Sequence, residues 1–185
     1  MKREILLSYL AGVMDSDGYF TIRRESYGLR IRKDRVNPDY YERVGLKQTS
    51  PLVIDLIKKY FGGYRSIQKP NAKNGKPLHS IELSCLKAHK FVKEIYPYLK
   101  IKKKQAKILF KLREKLKEPK KEIRWYEVNN RWGQKVKMHY KCWSIEQIKY
   151  FEKLRKKIKS LNDSRNDKYH EPKPFKRKEI STKTN

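Results

Sequence analysis

Acidic residues are scarce in this chain: 20 Asp and Glu stand against 48 Lys and Arg over 185 residues, leaving a formal charge of +28. Such an excess repels itself unless a polyanion or counterions offset it, so nucleic acid is the expected partner. Long apolar runs are also missing. The longest, Ile5 to Met14, is broken by Ser8 and ends beside Asp15 and Asp17. It is too short to span a bilayer and wrongly flanked for a signal peptide, so no membrane partner is expected. The expectation is an intracellular protein of cytoplasm, nucleoid or organelle matrix, not a secreted one. Two cysteines, Cys85 and Cys142, exclude a disulfide framework and fit a reducing compartment. They leave two readings open: a zinc site built from the Cys85/His89 and His139/Cys142 pairs, or Cys85 as a small buried hydrophobe on a strand. There is no internal repeat, no paired-histidine metal motif and no convincing Asp…Glu-x-Lys triad.

The length suits one core with appendages, here a domain over 1–163 and a polar, basic tail over 164–185. Residues 3–14 read as a helix apolar nearly all round from Ile5, which must be buried on more than one side. Tyr19 to Ile22 and Leu29-Arg30-Ile31-Arg32 alternate as an extended strand or strand pair, 33–40 is a turn, and Tyr41 to Thr49 returns as a strand. Ser50-Pro51 opens a helix, with Leu52, Val53, Leu56, Ile57 and Tyr60 as its stripe, and Gly62-Gly63 ends it. Strands over 64–69 and 78–85 follow, with Ile81, Leu83 and Cys85 facing inward, joined by a loop carrying Lys73 and Lys76. Short and long helices then span 88–95 and 102–117. Residues 119–143 read as an aromatic hairpin, and Ser144-Ile145-Glu146-Gln147 is a capping box opening a last helix.

This order predicts an α+β fold, an antiparallel sheet with its helices on one face. Thr21, Arg23, Arg30, Arg32, Arg43, Gln68, Ser80 and Glu82 fall on the outward positions of the alternation. Such a mixed set of donors and acceptors on a curved sheet suits base edges in a major groove, where lysines alone would read only phosphate. The plainer reading is a solvated sheet face.

One segment carries chemistry. In Leu10-Ala11-Gly12-Val13-Met14-Asp15-Ser16-Asp17-Gly18 the Ala11-Gly12 pair leaves no bulk, so a second helix can approach closely. Leu10 and Val13 supply packing around the contact. One copy per chain puts the second helix in another subunit. The helix end, with carbonyls unsatisfied and the dipole negative, favours a cation beside Asp15 and Asp17. Magnesium takes such hard oxygen donors, and manganese or calcium fits them too.

This segment resembles the signature of the LAGLIDADG homing endonucleases, with six of nine positions identical. Leu99 to Ala106 and Ser160 to Ser164 are similar to segments of the family's single-motif, homodimeric branch. The resemblance covers most of 5–118 and a patch near 160, while 119–143 has no counterpart and looks like an insertion. It implies an αββαββα half-domain with a curved sheet and extra C-terminal helices. It further implies metal-dependent cleavage of double-stranded DNA at a long, near-palindromic site, leaving 3′ overhangs, with intron homing as the setting. Carried over residue by residue, Asp17 is the metal ligand, assisted by the Ser16 carbonyl, while Asp15 orders the helix end. Gln48 orients the attacking water and Lys102 stabilises charge on phosphate. A further basic residue of the family's pocket has no equivalent after Gln48. Leu10, Ala11, Gly12 and Val13 form the dimer contact, and Lys73, Lys76, Ser164 and Arg165 join the DNA-contacting set. An intron RNA maturase, or a non-cleaving regulator of the same fold, is the alternative.

Overall fold

The computed structural model describes residues 2–25, 38–70, 75–129 and 132–163. The expected strand over 29–32, the loop lysine Lys73 and the tail from Ser164 lie outside them, as do Arg30, Arg32 and Arg165. The chain runs α1 (Arg3–Ser16), β1 (Tyr19–Glu25), β2 (Asp39–Gln48), α2 (Pro51–Phe61), β3 (Tyr64–Gln68), β4 (Leu78–Ser84) and α3 (Cys85–Ile95). A 3₁₀ turn (Tyr96–Tyr98), α4 (Lys103–Lys117), β5 (Glu122–Asn129), β6 (Lys135–Cys142) and α5 (Ile145–Asp163) complete it. The α+β, αββαββα order expected from the sequence is therefore the one observed.

The four strands form an antiparallel sheet in the order β1-β2-β4-β3. Phe20, Ile22, Val44, Leu46, Ile81 and Leu83 fill one face, and each is no more than 2% exposed. Helices α2 to α5 cover that face, contributing Ile54, Phe91, Leu109 and Phe151 among others. The alternation of β1 and β4 is thus read as intended, one side to the core and one side away.

Local signals explain the element ends. Pro51 starts α2, although the Ser50 side chain makes no capping bond. The Ser144 capping box is complete, Gln147 N donating to Ser144 Oγ at 3.2 Å and Ser144 N to Gln147 Oε1 at 3.0 Å. Gly63, at φ +99, lies so close to β4 that a Cβ would sit 2.7 Å from the Glu82 carbonyl. Cys85 departs from expectation: it opens α3 with φ 53 and an exposed side chain, because β4 ends at Ser84 and the chain turns there. Cys142 is buried at the base of β6. Among the described residues no three His, Cys, Asp or Glu gather to hold a metal, so the Cys85, His89, His139 and Cys142 quartet is not assembled as a zinc site.

Candidate active site and nucleic-acid interface

Helix α1 buries Leu6, Leu7, Leu10, Ala11 and Met14 and leaves Ile5, Ser8, Tyr9, Gly12 and Ser16 exposed. Leu10 and Ala11 were expected between subunits, but at 0% exposure they are sealed in this chain's own core. The open stripe is one helical ridge, i to i+4 to i+7 to i+11, carried by Ile5, Tyr9, Gly12 and Ser16. Val13 is half-buried at its border, and a Cβ added at Gly12 would meet nothing within 4 Å.

The end of α1 is held from outside. Asp15, 6% exposed, accepts the backbone N–H groups of Lys100 at 2.6 Å, Ile101 at 3.2 Å and Lys102 at 2.8 Å. It therefore satisfies donors that the start of α4 would otherwise leave unpaired. Asp15 does order a helix end, but that of α4 as much as its own. The latch delivers the Lys102 side chain to the tip of α1. Its Nζ donates to the carbonyls of Met14 at 2.8 Å, Ser16 at 3.2 Å and Gly18 at 2.7 Å. Gly18 is required here, since a Cβ would lie 2.8 Å from the Met14 carbonyl oxygen.

Asp17 closes α1, its N–H donating to the Val13 carbonyl at 2.9 Å while its carboxylate faces out. Gln48 Nε2, from the last residue of β2, donates to Asp17 Oδ2 at 2.9 Å, and Ser16 Oγ to Oδ1 at 3.0 Å. These two hydrogen bonds, with the Lys102 ammonium nearby, hold the Asp17 carboxyl below its ordinary 3.8. Asp17, Gln48, Lys102 and the Ser16 carbonyl, expected together from the sequence, thus converge from three elements.

The donor set suits a hard divalent cation. Three backbone carbonyls already gather round one ammonium ion, and a charged carboxylate stands beside them, each of its oxygens accepting one hydrogen bond and keeping a lone pair for a further partner. Among the described residues a single chain supplies this one exposed carboxylate at the helix end, which suits an ion that completes its shell with water and other oxygen donors.

The second sheet face begins at the same place. Strand pairing sets Thr21 against Arg43, Arg23 against Tyr41, Lys47 against Ser80 and Ser66 against Ser80, with Glu82 between Gly45 and Tyr64. Six of the eight residues expected on this face, Thr21, Arg23, Arg43, Gln68, Ser80 and Glu82, therefore share it. Lys76 is exposed in the loop entering β4. Sequence reasoning missed Tyr19, Tyr41, Lys47, Tyr64 and Ser66, which the same period-two alternation places on this face. They tie the face together. Tyr19 Oη donates to Glu82 at 3.1 Å, Glu82 also pairs with Arg43, and Tyr41 donates to Glu25. Burial and the Glu25 carboxylate push the Tyr41 phenol up to about 12, so it stays a donor. Gly45 is the one β2 residue over which the Tyr19 ring can lie, since any Cβ would run into it. Asn162 Nδ2 donates to the Phe20 carbonyl at 2.8 Å, fixing the end of α5 against the start of β1.

Solved structures share this architecture. The homing endonuclease I-CvuI, crystallised with the I-CreI target in the presence of magnesium, is 18% identical, with 91% of this chain and 87% of that one covered at a TM-score of 0.58. The archaeal intron-encoded homing endonuclease I-Vdi141I, complexed with DNA, is 15% identical, with 91% of each chain covered at a TM-score of 0.58. The fold is that of the LAGLIDADG homing endonucleases. No protein-family profile matches the sequence, and no curated protein is similar to it. Among the described residues no helix is long and apolar enough to cross a membrane.

Proposed function

We propose that this chain is a LAGLIDADG homing endonuclease of the homodimeric kind, cutting double-stranded DNA at a long, near-palindromic site with a divalent metal. The observation that carries the reading is the convergence of Asp17, Gln48 and Lys102 on the tip of α1, at the edge of a polar sheet face. Asp17 and the Ser16 carbonyl would hold magnesium, for which manganese or calcium can substitute. An ion held there would supply Lewis acidity toward a phosphoryl oxygen and toward water. Gln48, already donating to Asp17, has the reach to orient that water. The Lys102 ammonium supplies positive charge where the phosphate becomes more negative as the 3′ oxygen leaves. Thr21, Arg23, Arg43, Gln68, Ser80 and Glu82 would face base edges, and Lys76 phosphate. The non-described Arg30, Arg32, Lys73, Ser164 and Arg165 remain assigned to DNA by sequence alone.

A plasmid carrying the uninterrupted insertion locus of the gene tests this. With magnesium, paired cuts leaving short 3′ overhangs are expected, and EDTA is expected to abolish them. Cleavage that persists in EDTA would remove the metal from the mechanism.

Dimerisation uses the exposed ridge of α1. Ile5 and Tyr9 are about half exposed, at 56% and 47%, and Gly12 lies between flanking side chains with open space above it. A second α1 can approach over Gly12 as close as backbone allows. The Gly12→Leu variant isolates this contact, because a Cβ added at this exposed position meets nothing within 4 Å in the subunit and leucine gains about 1 kcal/mol of helix propensity over glycine. Light scattering should report monomers for Gly12→Leu and dimers for the parent, with thermal stability of the subunit maintained. A Gly12→Leu protein that remains dimeric places the contact elsewhere.

A further inference from the structure

The β5–β6 hairpin takes no part in the site above. It forms its own two-stranded sheet, separate from the four-stranded one. Its base is anchored: Cys142 and Trp143 are buried, Gln147 Nε2 donates to the Pro119 carbonyl at 3.2 Å, and Lys120 lies 3.8 Å from Asp39 at the outer end of β2. Beyond that base one face is uncovered. Pairing sets Ile123 opposite Lys141, Trp125 opposite His139 and Glu127 opposite Lys137, all exposed. Trp125 is 67% exposed, and its ring lies against that of His139 at 4.9 Å between centroids. Between Pro119 and Trp143 the sequence carries seven lysines and arginines against Glu122 and Glu127.

An exposed indole inside a lysine ladder has two requirements. The lysines call for phosphate, and Lys137 and Lys141, four residues apart on one face of β6, stand roughly 13.6 Å apart, a span that about two steps of an extended polynucleotide backbone can follow. The indole calls for a flat apolar surface. Duplex DNA hides the faces of its bases in the stack, whereas an unpaired strand offers base faces and phosphates together. RNA is the polynucleotide that cells keep unpaired in loops and bulges, and such segments are read by aromatic stacking. We propose that the outward face of the β5–β6 hairpin is a second nucleic-acid site, one that binds unpaired RNA with Trp125 as the stacking platform and Lys137 and Lys141 on phosphate. This site is independent of the nuclease reading and would stand without it.

The test uses the full chain in EDTA, so that binding is read without cleavage. Its probe is a fluorescein-labelled single-stranded RNA of mixed sequence, about 12 nucleotides long, followed by anisotropy. A DNA duplex of the same sequence, measured in parallel, reports on the sheet face. Trp125→Ala is expected to weaken RNA binding on the order of tenfold, with Trp125→Phe recovering most of it. Lys137→Glu/Lys141→Glu is expected to weaken RNA binding at least as much. Duplex binding should change by less than about twofold. Unaltered RNA affinity in both Ala and Glu variants overturns the proposal. So does an equal loss on duplex, which would make the hairpin an extension of the DNA face, or a loss that appears only with dissociation of the dimer, which would make it a subunit contact. Because Trp125 and both lysines are exposed, their replacement leaves the core untouched.

Discussion

Asp17→Asn is expected to bind target DNA as the parent does and to leave it uncut, with the cleavage rate down by on the order of 10²–10³-fold or more. Asparagine keeps the shape: its one carbonyl oxygen can still accept from Gln48, while its amide nitrogen faces the Ser16 hydroxyl, which can turn to accept. What disappears is the negative charge at the tip of α1. The parent carboxyl titrates below 3.8. Its hydrogen bonds therefore act in full above that value and are lost only as acid titrates the folded group. Between pH 5 and 8 the variant and parent consequently differ by a whole charge, and the defect should be flat across that range. Gel shift in calcium and a cleavage time course in magnesium separate binding from chemistry. Parental cleavage by Asp17→Asn would end the assignment of this residue.

The second large effect concerns stability. Glu42 is completely buried beneath the sheet, and Arg113 of α4 meets it with two donors, Nε reaching Oε1 at 2.6 Å. A buried pair of this kind adds little over an apolar replacement, but removing one partner strands the other charge at a cost of about 3–5 kcal/mol. Glu42→Ala is therefore expected to lower the melting temperature on the order of 10 °C, whereas Glu42→Leu/Arg113→Met should recover most of the loss. Thermal denaturation of the three proteins decides it. If the double variant is as unstable as Glu42→Ala, the stranded charge is not the cause. The pair also bears on function, because β2 carries both Glu42 and Gln48 while α4 carries Arg113 and follows directly on Lys102. Their register decides whether the amide and the ammonium arrive at Asp17 together.

Features set by local chemistry were legible in the sequence. The alternation of β1 and β4 placed Thr21, Arg23, Ser80 and Glu82 on one face. Proline, glycine and capping signals marked the ends of α2 and the start of α5. The motif marked the end of α1 and its carboxylates. Features set by distant partners were not legible. Asp15 is one carboxylate among twenty acids until the fold brings Lys100, Ile101 and Lys102 to it, and Glu42 with Arg113 joins residues 71 apart. Ala11 beside Gly12 looks like part of one small-residue contact. A helix turns 100° per residue, so the two face different neighbours, and only the packing of α1 on α3 shows which faces in. Cys85 extended an alternating run that gave no hint of the turn at Ser84.

The bare ridge of α1 has a consequence for regulation. In the proposed dimer each subunit would bring one carboxylate and one half of the sheet surface, so a lone subunit would hold half a cutting centre. Below the dissociation constant of that pair, the amount of competent enzyme would rise as the square of the subunit concentration. A cell making little of such a dimeric nuclease would be shielded from stray breaks by mass action alone, and a modest rise in synthesis would restore cutting steeply.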